Sequence, residues 1–205
     1  MEYENEYDAI DAGIEPGGLR RRSNVRLLIC YIIGSINNPV KKDHIVSAMQ
    51  KNAIANYFEI LDAFDDLVHK KNIIPDENNS ELYVLSKSGR MIAANLSDEL
   101  PLTIRERTLS AVLELIAQEK NEAENLVEIE KIKNGYLVKC RVADEDVDLF
   151  SFQLYVPDSK QARLVKKNFQ NNAEMIYKMM IAAVTHNADF AEQTLEDIKK
   201  SKKSI

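Results

Sequence analysis

The sequence predicts an α+β chain in two parts. Three observations carry this. Apolar residues recur at helical spacing from Val25 to Val68 and again beyond Leu102. Two short stretches rich in β-formers, near residues 73–85 and 127–156, interrupt the helices. Pro101 divides one group from the other.

The first residues carry Glu2, Glu4, Glu6, Asp8, Asp11 and Glu15 and end in Pro16-Gly17-Gly18, which predicts a flexible acidic tail over 1–18. Ser23 is the expected N-cap of a first helix, with Val25, Leu28, Ile29, Ile32 and Ile33 inward, and Pro39 lies past its end. A second helix begins near Lys41 or Lys42 with Ile45, Val46 and Met49 on one face. Residues 52–55 read as a turn. A third helix starts at about Asn56, with Phe58, Leu61, Phe64, Leu67 and Val68 inward, and ends at Lys70-Lys71, where positive charge suits the dipole. Ile73-Ile74 opens a strand, residues 76–80 form a polar tip, and Leu82 to Leu85 return as a second strand. Ser86-Lys87-Ser88-Gly89 then leads into a helix with Met91, Ile92 and Leu96. Three helices, a two-stranded ribbon and a fourth helix are the order of a winged helix-turn-helix, assigned to 19–100.

The run "SNVRLLICYIIGSINNPVKKDHIVSAMQKNAIANYFEILDAFDDLVHKKNII", with its Asn38-Pro39-Val40 connector, Ile45 and Tyr57-Phe58 step, resembles a bacterial family. So does "YVLSKSGRMIAANLSDELPLTIRERTL". The family is the domain-of-unknown-function 4364 family of predicted winged-helix transcriptional regulators. The resemblance implies a transcriptional role and no established ligand.

The second part, 101–187, opens with a long helix carrying Ile104, Leu109, Val112, Leu113 and Ile116 inward. In "LVEIEKIKNGYLVKCRV", Asn134-Gly135 joins two alternating runs, the signature of a type I′ hairpin. Counted outward from that turn, Ile129 faces Cys140 and Val127 faces Val142, while Glu130 meets Lys139 and Glu128 meets Arg141. Such opposite charges add roughly 0.2–1 kcal/mol each. A third strand follows with Phe150, Phe152, Leu154 and Val156 inward, so the sheet is a three-stranded antiparallel meander. A long C-terminal helix then presents Val165, Phe169, Ala173, Ile176, Met180 and Val184. This α-β-β-β-α part reads as a regulatory or dimerisation domain. Residues 188–205 read as a weakly amphipathic tail.

The 205 residues carry a net charge of −6, against indiscriminate coating of nucleic acid, since such affinity comes from Lys and Arg displacing counterions. A local basic patch is still compatible with specific binding. Cys30 and Cys140 each lie in an apolar segment and are expected to be buried free thiols. The leading stretch has neither the basic start nor the apolar middle of a signal peptide, and no apolar run is long enough to span a bilayer, so the expectation is a cytoplasmic protein without membrane contact. There is no Gly-rich phosphate loop and no paired-cysteine motif, and His44, His69 and His186 stand on separate elements. Asp144-Glu145-Asp146 reads as a solvated turn, because hard cations need six or more oxygen ligands. No catalytic residue, metal ligand or cofactor is assigned, and an enzyme is not expected.

What remains is the basic cluster. On a winged helix the third helix enters the major groove, and the wing and helix N-termini meet the backbone. The candidate contacts to double-stranded DNA are Arg20, Arg21, Arg22 and Arg26 near the first helix, and Lys41 and Lys42 at the second. Asn56 and Tyr57 start the third, Asn78 and Asn79 form the tip, and Lys87 and Arg90 follow it. A cation at a helix N-terminus opposes the dipole by typically about 0.3–1 kcal/mol, a penalty that a bound phosphate relieves. Against this, Glu59, Asp62 and Asp66 are expected on the outward face of the third helix. Two functions follow: a homodimeric DNA-binding regulator with an unidentified effector, or a non-enzymatic interaction module that docks protein on that acidic face.

Overall fold

In the computed structural model, which describes residues 19, 21–96, 99–144 and 147–201, the first part is organised around one helix. α1 (Arg22–Ser35) buries Val25, Leu27, Leu28, Ile29, Cys30, Ile32 and Ile33. That is more than one face of an amphipathic helix holds, so neighbours must cover it from several sides. They are α2 (Lys42–Lys51), α3 (Tyr57–His69), α4 (Lys87–Leu96) and a small sheet. The N-cap of α1 is Arg21, without a side-chain cap, so Ser23 lies inside the first turn instead of before it. The expected acidic tail lies outside the described residues. Leu19 is buried, and its N–H donates to the Ile54 carbonyl at 2.7 Å.

The sheet has three strands, not two. β1 (Val40–Lys41) pairs antiparallel with β3 (Leu82–Leu85), which pairs with β2 (Ile73–Pro75), giving the order β1-β3-β2. A two-residue strand after a proline leaves no periodic signal, so β1 was not legible. The expected tip at 76–80 is present: Asp76 and Asn79 side chains accept from the N–H groups of Asn78 and Glu81. Entry into α4 depends on Gly89. Ser86 donates its N–H to the Asn72 carbonyl at 3.0 Å, and a Cβ on Gly89 would overlap that carbonyl.

α5 (Leu102–Glu124) buries Ile104, Thr108 and Val112. The chain divides into two units, residues 1–116 and 117–205, with the boundary inside this helix. In the second unit, β4 (Asn125–Ile132), β5 (Gly135–Asp144) and β6 (Val147–Val156) form the antiparallel meander β4-β5-β6. α6 (Ser159–Val184) covers one face, where Val138, Cys140, Val156, Ala162, Phe169 and Ala173 close a core. The residues after Asn187 form α7 (Ala188–Ser201), packed on α6 and capped by Asn187, whose side chain accepts from Phe190 N–H at 3.0 Å. Glu145 and Asp146 of the acidic turn lie outside the described residues.

The hairpin register differs from expectation by two residues. Lys133 and Asn134 form the turn and Ile132 faces Gly135, so Ile129 meets Val138 and Val127 meets Cys140. An even shift keeps every side chain on its predicted face. The third strand supplies the reason. Gly135 holds φ +150, and a Cβ there would come within 2.6 Å of the Val156 carbonyl, while Tyr155 Oη donates to the Asn134 carbonyl at 2.6 Å. Glycine serves close approach to β6, and Asn134 does not take the positive φ of a type I′ turn. Glu130 consequently reaches Lys139 diagonally at 3.0 Å, and Arg141 pairs with Asp148 at 3.4 Å instead of Glu128.

Both thiols are free and buried, and burial pushes each up to about 11. No helix among the described residues is long and apolar enough to cross a membrane.

Replacing Gly89 with Ala forces the α4 start away from Asn72 and lowers stability by about 1–3 kcal/mol, measured by urea denaturation. Neither thiol reacts with an aromatic disulfide reagent at about pH 8 in the native protein, and both react once denaturant is added; absorbance of the released thiolate checks it.

Candidate nucleic-acid interface

The geometry here is decided by which stripe of α3 is buried. Ile60, Ala63, Phe64 and Leu67 face the core at i, i+3, i+4 and i+7, and Glu59 is drawn in beside them at 5% exposure. The stripe sits about one residue away from the one read off the sequence. Phe58, expected inward, is therefore 68% exposed, and Glu59, expected outward, is buried.

Asn56 caps the helix: its side chain accepts from Phe58 N–H at 2.9 Å. The cap occupies one lone-pair site of the amide oxygen, so Asn56 is a structural residue first. Beside it Tyr57 and Phe58 stand edge to face, ring centroids 5.6 Å apart, with Tyr57 42% exposed. The start of α3 thus presents two aromatic rings at the positive end of a helix dipole. Phe58 was missed as a surface residue because Phe58-Leu61-Phe64-Val68 is itself a helical stripe. The signal that separates the two is the tighter Ile60-Ala63-Phe64-Leu67 set.

The basic residues fall into two groups. Arg26 Nη1 reaches Asp66 Oδ2 at 2.8 Å, and Lys70 Nζ reaches the same oxygen at 3.0 Å. Lys42 Nζ reaches Asp65 Oδ1 at 2.6 Å and lies 5.0 Å from the centre of the Phe64 ring. Carboxylates of α3 therefore relieve Lys42's dipole penalty and engage Arg26. Partial burial pushes the Asp66 carboxyl upward, but hydrogen bonds from Lys70 and Arg26, with their charges, outweigh it and hold the group below the ordinary carboxylate range.

Arg22, Lys87 and Arg90 are exposed and make no ion pair among the described residues. Arg21 is exposed at the N-cap of α1. Lys41 is brought beside the ribbon by its pairing with Leu82. Asn78 and Asn79 are exposed at the tip. Arg20 lies outside the described residues. Of the three acids expected on the outer face of α3, Asp62 is exposed without an ion pair among the described residues, Asp66 is engaged and Glu59 is withdrawn. Among the described residues no three His, Cys, Asp or Glu side chains converge as metal ligands would.

A family model described as Domain of unknown function (DUF4364) matches residues 25–184. No curated protein matches, and no solved structure matches.

Asp66→Asn removes a carboxylate that holds two cations and lowers stability at neutral pH by up to about 1 kcal/mol, since the network is partly solvated. The folded-state pKa of Asp66 is depressed, so its contribution is present above the unfolded value near 4 and is lost as pH falls through the folded value. Denaturant melts of wild type and variant therefore differ at about pH 7, and the difference shrinks as pH is lowered below about 4.

Proposed function

We propose, for a chain that belongs to the family Domain of unknown function (DUF4364), that the first unit is a winged helix-turn-helix that binds double-stranded DNA. The protein would act as a transcriptional regulator. The second unit would hold two copies together or report a signal.

The observation that carries this reading is the pairing of β1 with β3. The order α1-β1-α2-α3-β2-β3-α4, with strands arranged β1-β3-β2, is the one a winged helix needs. The strand between the first two helices seals the base of the ribbon and sets the ribbon beside α2 and α3. In this reading the first turn of α3 meets the major groove, and Tyr57 and Phe58 supply apolar contact to base edges such as the thymine methyl. Arg22, Lys41, Lys87 and Arg90 meet phosphates.

The acidity of α3 opposes this less than its composition suggests. Glu59 is buried, Asp65 holds Lys42 and Asp66 holds Arg26 and Lys70, which leaves Asp62 as the carboxylate without an ion pair among the described residues that would face a phosphate. The same facts weaken protein docking on the acidic face, because two of the three carboxylates that reading needs are not free at the surface. Two copies joined through their second units would address two half-sites about one helical turn apart.

Binding to genomic DNA fragments, followed by fluorescence anisotropy over a salt series, tests the reading. Affinity is expected to fall steeply with salt. Arg22→Ala, Lys87→Ala and Arg90→Ala together are expected to lower the log–log slope by roughly one unit for each phosphate no longer neutralised. Phe58→Ala weakens binding with the slope unchanged, because it removes no charge. Asp62→Asn tightens it. No salt-sensitive binding by the purified protein rejects the assignment.

A further inference from the structure

The middle of α6 is broken at Asn172, whose backbone sits at φ −139 and ψ 28. Two amide side chains hold the break in place. Asn172 donates its own side-chain N–H to the Asn168 carbonyl at 2.9 Å, and Asn125, at the start of β4, donates to the Gln170 carbonyl at 2.8 Å. Asn125 is buried, so this second bond has no competition from water. The break faces a cleft of about 460 Å³ within the second unit, inside the range of small-molecule sites.

The lining has a definite chemistry. Phe150 and Tyr177 stand edge to face with centroids 5.6 Å apart, and both border the cleft with Leu149. Tyr177 is 42% and Leu149 59% exposed, an apolar wall without cover. Gln170 is more than nine-tenths buried and lines the cleft, yet its side-chain amide makes no hydrogen bond among the described residues. Its amide atoms are nevertheless not shut off from solvent, so a ligand would take over hydrogen bonds that water makes. The charged side chains on the lining are Glu124 and Glu174, and no Lys or Arg is among them. Glu174 is held by Lys178 at 2.6 Å, whereas Glu124 has Lys120 only at 3.7 Å.

We infer that this cleft binds a small aromatic amine, its ring against Phe150 and Tyr177, its ammonium toward Glu124 and its hydrogen-bonding edge on Gln170. Two carboxylates and no base disfavour an anion. Aromatic faces attract a cation as well as a ring. The pinned break in α6 keeps the site formed before the ligand arrives, which spares the ordering that weakens binding to flexible sites. The inference goes beyond DNA binding and does not depend on it, because capture is read on the protein alone.

The chain contains no tryptophan, so tryptamine excited at the red edge of the indole band, where tyrosine does not absorb, is a fluorescent probe free of background from the protein. Its anisotropy is expected to rise saturably with one site per chain, whereas indole-3-acetate, the same ring with a carboxylate, shows no rise. Gln170→Ala weakens tryptamine by about three- to tenfold. Glu124→Gln, at an exposed position, weakens it by about two- to fivefold. Far-UV melting confirms that each variant is folded. No saturable rise with tryptamine, equal or preferred capture of indole-3-acetate, or unchanged affinity in Glu124→Gln overturns the proposal.

Discussion

The first unit depends on the docking of α3 against α1. α1 is apolar on nearly all sides and must be enclosed, so the helix laid on it is rotated until its best-fitting stripe, Ile60, Ala63, Phe64 and Leu67, is buried. Every surface property of α3 follows from that rotation. Phe58 is turned out, Glu59 is turned in, and Asp66 is brought to Arg26. Phe64 adds an edge-to-face contact with Tyr83 of β3 at 4.9 Å, which ties the same helix to the ribbon.

Charge is managed inside this arrangement. Lys42 begins α2 and Arg26 lies near the start of α1, where the dipole disfavours cations. Asp65 and Asp66 of α3 answer them. A helix that looks acidic in sequence is thereby partly neutralised, and two residues that look available to phosphate are partly engaged. The cations free of such pairs among the described residues, Arg22, Lys87 and Arg90, flank the helical core at its start and after the ribbon. Ion pairs of this exposure are worth little in stability, but they set which charges are left unpaired at the surface.

The second unit is governed by amides where the first is governed by apolar packing and ion pairs. A meander with one covered face fixes α6 above it through Phe169 and Ala173. Asn125 and Asn172 then serve the carbonyls around a break that an uninterrupted helix would not have. The cleft is lined by that break, and Asn125 of β4 serves a carbonyl beside it. The close passage of β6 over Gly135 has a similar character: the third strand decides a register that the hairpin by itself would set differently.

By itself the sequence determined the type and order of the helices and the meander and much of each inward face, because burial imposes periods of 3.6 and 2 on any chain that forms a core; Leu113, Met180 and Val184, expected inward, are exposed. Val25, Ile29, Ile45 and Leu67, or Val138 and Cys140, could lie nowhere else. It also carried the family resemblance, which the matching family model bears out over residues 25–184. Tertiary structure decided what periodicity leaves degenerate: which of two overlapping stripes on α3 is buried, that residues 40–41 pair with β3, that α6 breaks at Asn172, and which partner each charge takes. Those choices rest on pairings between residues distant in the chain, such as Arg26 with Asp66 and Asn125 with Gln170, and local sequence carries no record of such a pairing until the fold has brought its two ends together.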